Sequence, residues 1–237
     1  MPMPVNFDLA RFSLLDRAIV CAHAHVRGGG DSGKEWHKAG RMMNKMNTFT
    51  DFIAVVEHLT GSWSATHKDG PVPCPLLDRN KVVIEGSSAG GLLMAVVVNM
   101  RPELFRVAIL KAPFVDIMNT QFDKTLPLTT TDFEEWGDPT DPDVFRYMIR
   151  YAPYENLRLA TYPAMLVRAG WNDSQVMYWE AAKYVARQRT LRRDKRLLIL
   201  TTNMTVGHRG PSGRYDALQE TAFDQAFILD QLGITND

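Results

Sequence analysis

The sequence has 237 residues, 27 Lys and Arg against 27 Asp and Glu, and 45% hydrophobic content. That is enough chain for one sizeable core and too little for two large domains. Zero formal charge argues against a nucleic-acid surface, which needs clustered Lys and Arg to displace counterions from phosphate.

In chain order, AIVCAHAHV (18–26) is a short apolar run closed by Gly28, Gly29 and Gly30, the pattern of a buried strand and turn. NTFTDFIAVVEHL (47–59) places Phe49, Phe52, Ile53 and Val56 at helical spacing. Residues 61–80, rich in Pro and Gly, read as a surface insertion. A strand is predicted over 81–85, and over 88–100 a helix that is apolar nearly all round and ends before Pro102. A strand over 106–113 precedes a polar, turn-rich stretch from 114 to about 140. Then follow a short helix (141–151), a strand (164–170), a helix (175–191), a strand (196–202) and a closing helix (214–232). Short apolar strands alternating with helices imply an α/β chain with a mostly parallel, doubly wound sheet, one domain over 1–237. The basic run from Arg187 to Arg196, interrupted by Asp194, reads as a solvated helix end.

Cys21 and Cys74 cannot make a disulfide framework, and neither they nor the histidines stand in a metal-binding spacing, so no metal or other cofactor is expected. No run approaches about eighteen uninterrupted apolar residues, and the opening MPMPVNFDLARF lacks the regions of a signal peptide. A cytoplasmic protein without membrane or nucleic-acid partners is the expectation.

The chemistry concentrates at Gly86-Ser87-Ser88-Ala89-Gly90, which fits G-x-S-x-G between a predicted strand and a predicted helix. Such an elbow holds the serine on a strained turn, with glycines admitting close backbone, and aims the helix N-terminus and the Ala89 N–H at an oxyanion. A serine needs a base, and the base an orienting carboxylate. His208 is the sole histidine after Ser88, in the loop following 196–202; Asp173 directly follows 164–170. Asp116, Asp123 and Asp194 fit the expected strand-end position less well. His23 and His25 are expected in the core or supporting the site, and His37, His58 and His67 at the surface.

HVRGGGDSGKEWHKAG, NTFTDFI, GSSAGGLL, RPELF, APFVD, LPLTTTDFEEWGDP, YPAMLVRAGWNDSQVMYWE and GHRGPSGR together resemble the catalytic domain of the oligopeptidase B group in the prolyl oligopeptidase family of serine peptidases. The resemblance runs from about Leu14 to the end. It implies an α/β-hydrolase fold with Ser88 as nucleophile, His208 as general base and acid, and Asp173 fixing the histidine tautomer. It implies cleavage of short peptides after Arg or Lys, with Asp132 and Glu134 receiving the basic side chain; Asp132 is one methylene shorter than the glutamate usual there. Further, it implies that the β-propeller and first sheet strands of full-length members are absent here, along with a tyrosine that supplies their second oxyanion donor. Strands 18–26 and 81–85 must then either pair directly or leave backbone groups unpaired. Pro4 and Asn6 stand where members carry an acidic pair for the next subsite. The HVRGGG glycines take no oxyanion role. A generic esterase and a weak or inactive fragment are the competing readings.

Overall fold

In the computed structural model, residues 11–61 and 77–234 are described. The bulk of the 61–80 segment, with His67 and Cys74, and Pro4 and Asn6 lie outside them. The described chain runs α1 (Phe12–Leu15), α2 (Lys34–Lys38), a 3-10 turn (Met42–Asn44), α3 (Met46–Leu59), β1 (Val83–Ser87) and α4 (Ala89–Met100). After a second 3-10 turn (Pro102–Leu104) come β2 (Val107–Lys111), α5 (Ile117–Phe122), α6 (Thr129–Trp136) and α7 (Pro142–Met148). β3 (Ala164–Gly170), α8 (Tyr178–Leu191), β4 (Leu198–Asn203) and α9 (Arg214–Leu232) complete it.

The four strands form one parallel sheet in the order β1-β2-β3-β4. Parallel neighbours require crossovers: the helices between the strands pack on one face, and α9 with Leu14 of α1 covers the other. Alternation along β2 shows the division: Ala108 and Leu110 join the large core with Leu92, Val97, Tyr184 and Phe49, whereas Val107 and Ile109 join a smaller one with Leu166, Phe227 and Ile228 of α9. Burial on two faces is why these strands read as continuous apolar runs. Burying each such aliphatic side chain stabilises the fold by about 1.5–3 kcal/mol.

Residues 18–26 are not a strand. Val20 is 64% exposed, and β1 has a sheet neighbour on one side only among the described residues. Of the two arrangements open to these segments, direct pairing is not adopted; an apolar run needs a laddered partner to become a strand. His23 is accordingly exposed, and His25 is half-buried with Nδ1 3.2 Å from Asp31, so neither is a core residue.

The stretch 114–140 carries two helices rather than turns, α5 and α6. α6 buries only Thr129 and Trp136, so its apolar signal is weak; its usable signature is Gly137, whose φ of 94° ends the helix where a side chain would be strained. The basic run is also not simply solvated. Arg192 and Asp194 pair at 2.6 Å with side chains 6% and 8% exposed, and Asp194 accepts the Tyr162 N–H at 2.8 Å, fixing the approach to β3.

Glu180 of α8 is fully buried and accepts the Asp116 N–H (2.9 Å) and the Thr120 hydroxyl (2.7 Å), joining α8 to α5. Burial pushes its carboxyl up to about 7, the Asp116 charge adds to this, and the hydrogen bonds oppose it. The native state therefore keeps a proton that the unfolded chain releases near pH 4.5, and this contribution to stability is lost as pH rises from about 4.5 through 7. Thermal melts across that window should show Glu180→Gln losing less stability with rising pH than the parent; parallel pH profiles would contradict the assignment.

Candidate active site

The turn between β1 and α4 is built around Ser88, whose φ of 55° and ψ of −121° place a β-carbon in left-handed space. Such a conformation costs on the order of 1–3 kcal/mol and persists only where the surroundings over-determine it. Here the Ser88 N–H donates to the Lys111 carbonyl at 2.9 Å, and the Ser88 carbonyl accepts from Leu92 N–H (3.1 Å) and Phe114 N–H (3.2 Å). Two glycines clear the space. A β-carbon at Gly86 would lie 2.2 Å from the Gly90 carbonyl oxygen, and one at Gly91 would lie 2.7 Å from Pro113 Cα. Gly90, although part of the motif, has open space at that point.

The turn leaves Ala89 as the first residue of α4, with its N–H lacking an intrahelical acceptor and lying at the positive end of the helix dipole. Ser88 Oγ has no hydrogen-bond partner among the described residues.

Asp173 lies in the loop after β3 with its side chain 1% exposed. Its Oδ1 accepts the N–H groups of Gln175 (2.8 Å) and Val176 (2.9 Å), which orients the carboxylate, and its Oδ2 is 2.8 Å from His208 Nδ1. An ionised carboxylate only accepts, so this contact puts the proton on Nδ1 and leaves Nε2 with its lone pair. The two loops are tied by their backbones as well: Asn172 N–H donates to the Val206 carbonyl at 3.0 Å. They cross so closely that a β-carbon at Gly170 would meet the Val206 and Gly207 carbonyl oxygens at 2.7 and 2.8 Å. Sequence reasoning did not identify Gly170; a glycine ending a strand just before a candidate acid was the available signal.

Asp132 and Glu134 lie on α6, not on a loop. Residues two apart on a helix diverge, whereas Asp132 and Glu135 share a face. Asp132 is half-buried, its carboxylate has no hydrogen-bond partner among the described residues, and burial, with the Glu135 charge adding, holds that carboxyl above the ordinary range. Glu134 is exposed. Glu135 is engaged by Lys45 Nζ (2.7 Å) and His37 Nε2 (2.8 Å), and Lys45 lies 4.3 Å above the Trp136 ring. Trp136 meets Phe114 edge-on at 5.5 Å, connecting α6 to the residue that bonds the Ser88 carbonyl. A cavity of about 910 Å³ opens beside His208, lined in part by Lys111, Arg168, Asn203 and Phe223. Among the described residues no cluster of three or more His, Cys, Asp or Glu is arranged to hold a metal ion, and no helix is long and apolar enough to cross a membrane.

A parallel sheet wound on both faces, with a strained serine between strand and helix, defines the chain as part of an α/β-hydrolase domain. Residues 5–235 match the model of the Prolyl oligopeptidase family, and the chain belongs to that family. It is 46% identical over 234 residues to dipeptidyl aminopeptidase BI of Pseudoxanthomonas mexicana, a match covering 99% of this chain and 31% of that protein. Protease 2 of Moraxella lacunata is 44% identical, with 97% of this chain and 31% of that protein covered. The structure of oligopeptidase B from Leishmania major superposes with a TM-score of 0.91 at 38% identity, covering 100% of this chain and 31% of that one. The chain thus spans 31% of the length of the curated relatives it matches here.

Gly86→Ala and Gly91→Ala should each destabilise the chain by about 1–3 kcal/mol, because backbone and ring atoms must move. Gly90→Ala should be neutral or stabilising by up to about 1 kcal/mol, since alanine favours the helix. Denaturant titration of the three variants checks this order.

Proposed function

We propose that the chain carries the catalytic machinery of a serine oligopeptidase that cleaves short peptides after Arg or Lys through an acyl-enzyme on Ser88. The observation that carries this reading is the 2.8 Å contact between His208 Nδ1 and a buried, doubly anchored Asp173, in a chain whose one strained serine among the described residues stands at a strand-to-helix elbow. The names of the family and of its relatives Protease 2 and oligopeptidase B add support.

In the reaction Ser88 Oγ attacks the scissile carbonyl while His208 Nε2 takes the hydroxyl proton. Negative charge developing on the carbonyl oxygen is met by the Ala89 N–H and the α4 dipole. His208 then returns the proton to the leaving amine, and a water deprotonated by His208 releases the acid product. Asp173 holds the imidazole in the required tautomer and stabilises the imidazolium. The substrate side chain is received by Asp132 and Glu134, two separate carboxylates on α6 that favour a cation over a neutral residue. No cofactor enters any step. The low cysteine content agrees with a cytoplasmic setting.

Ser88→Ala should abolish hydrolysis of an Arg-Arg fluorogenic amide. Asp132→Asn should lower kcat/KM for that substrate by about 10-fold or more, the scale of a lost hydrogen bond to a charged group, and leave a neutral amide unchanged. Because the Asp132 carboxyl is raised, selectivity for Arg should weaken as pH falls toward its titration, and Asp132→Asn should remove that dependence. Equal losses on basic and neutral substrates would overturn the subsite; turnover of activated neutral esters alone would favour an esterase.

A further inference from the structure

The sheet face under α9 changes character along its length. Toward the amino ends of the strands it is apolar, with Val107, Ile109, Ala164 and Leu166 against Phe227 and Ile228. Toward the carboxyl ends, on the same face by register, stand Glu85, Lys111, Arg168 and Asn203, one from each strand. They form a continuous row with α9. Lys111 Nζ contacts Glu85 (2.7 Å) and Asp224 (2.8 Å), and Arg168 contacts Asp224 (2.7 Å) and Glu220 (2.9 Å). Arg168 Nη1 also donates to the Glu220 carbonyl at 3.0 Å.

The row continues into the loop that carries His208. Asn203 Nδ2 donates to Glu220 Oε1 at 3.3 Å, while Asn203 Oδ1 accepts both the N–H (3.1 Å) and the hydroxyl (3.0 Å) of Thr205. Arg168 reaches the serine as well: its carbonyl accepts the Ala112 N–H at 2.8 Å, next to Lys111, whose carbonyl holds the Ser88 N–H. Ala112 is itself held at a φ of 40°.

We propose that Arg168 and Glu220 are positioning residues for His208, fixing the start of its loop through Asn203 and Thr205 and linking it to the backbone that supports Ser88. This rests on His208 being the catalytic base. Half-buried ion pairs are poor devices for stability, because desolvation offsets much of the attraction. Apolar packing already fastens α9 elsewhere on the face. What the charged row adds is directional: a guanidinium fork fixes two carboxylates at set angles, and Glu220 fixes the Asn203 amide. The far end of α9 supplies a control, since Arg106 Nε donates to the Gln231 carbonyl at 3.0 Å, away from the His208 loop.

The test follows exchange of the His208 Nδ1 proton by NMR in the full chain, the signal being assigned by its loss in His208→Gln. Arg168→Met and Glu220→Gln should speed that exchange by about tenfold or more, the scale of one lost charge-assisted hydrogen bond. Arg106→Met should lower Tm without this change. Arg168→Lys should fall between, because an ammonium cannot hold two carboxylates as a fork does. If Arg168→Met fails to fold, Glu220→Gln, partly exposed and of the same shape, carries the test. Exchange in Arg168→Met or Glu220→Gln that matches Arg106→Met at equal Tm would overturn the proposal, as would a parent chain with no protected Nδ1 proton. The readout needs no turnover, so a chain that hydrolyses nothing would count against the peptidase reading and leave this result standing separately.

Discussion

Ser88 keeps a left-handed backbone only because the peptide groups on either side of it are pinned. Its N–H is held by the end of β2 and its carbonyl by α4 and the residue following the β2 exit, so β1, β2 and α4 converge on one residue. Relaxing the torsion would break bonds to two other elements. Gly86 and Gly91 are the steric counterpart of those bonds: the first lets β1 pass under the start of α4, and the second lets α4 lie against Pro113. The parallel register that puts Ser87 beside Lys111 is therefore also what presents the next side chain above the sheet.

The rest of the site follows from the same frame. Successive parallel strands end at one edge, so the loops after β3 and β4 emerge side by side, and the pairing of Gly170 with Asn203 brings Asp173 and His208 within hydrogen-bonding distance. Gly170 is small because the second loop crosses over it. On the other flank, α6 is located by Trp136 against Phe114 and by Glu135 against Lys45, a cation buried among its partners. That arrangement satisfies Glu135 within the fold and leaves Asp132, on the same helical face, as the carboxylate without a bound cation.

Much of this was legible from residue order. The doubly wound pattern was carried by strands buried on both faces, whose apolar runs survive any choice of neighbours, and the elbow by glycines flanking a serine between two such elements. The segment 18–26 misled because an apolar run states only that burial is favourable; it does not supply the partner that a strand requires. α6 was hidden because it buries only Thr129 and Trp136 and opens on three threonines and Asp132, leaving Gly137 as its one clear mark, and α5 because its 6 residues are too few to show a helical period. The Arg192–Asp194 pair escaped for a different reason: charge in a sequence reads as solvated until a partner is known. Gly170 ends a strand just before a candidate acid, but the clash that makes it necessary involves a loop some 36 residues later, a partner that the local sequence does not name.

If Ser88, held at its strained elbow, is the nucleophile and His208 its base, this one hydroxyl must be selectively reactive. The most direct measurement is reaction of the purified chain with a fluorophosphonate, followed by mass-spectrometric mapping of the modified residue. A single adduct on Ser88 is expected, with none on the adjacent Ser87 and loss of the adduct in a folded His208→Gln variant. An adduct on Ser87, or modification of Ser88 that persists undiminished without His208, would contradict it.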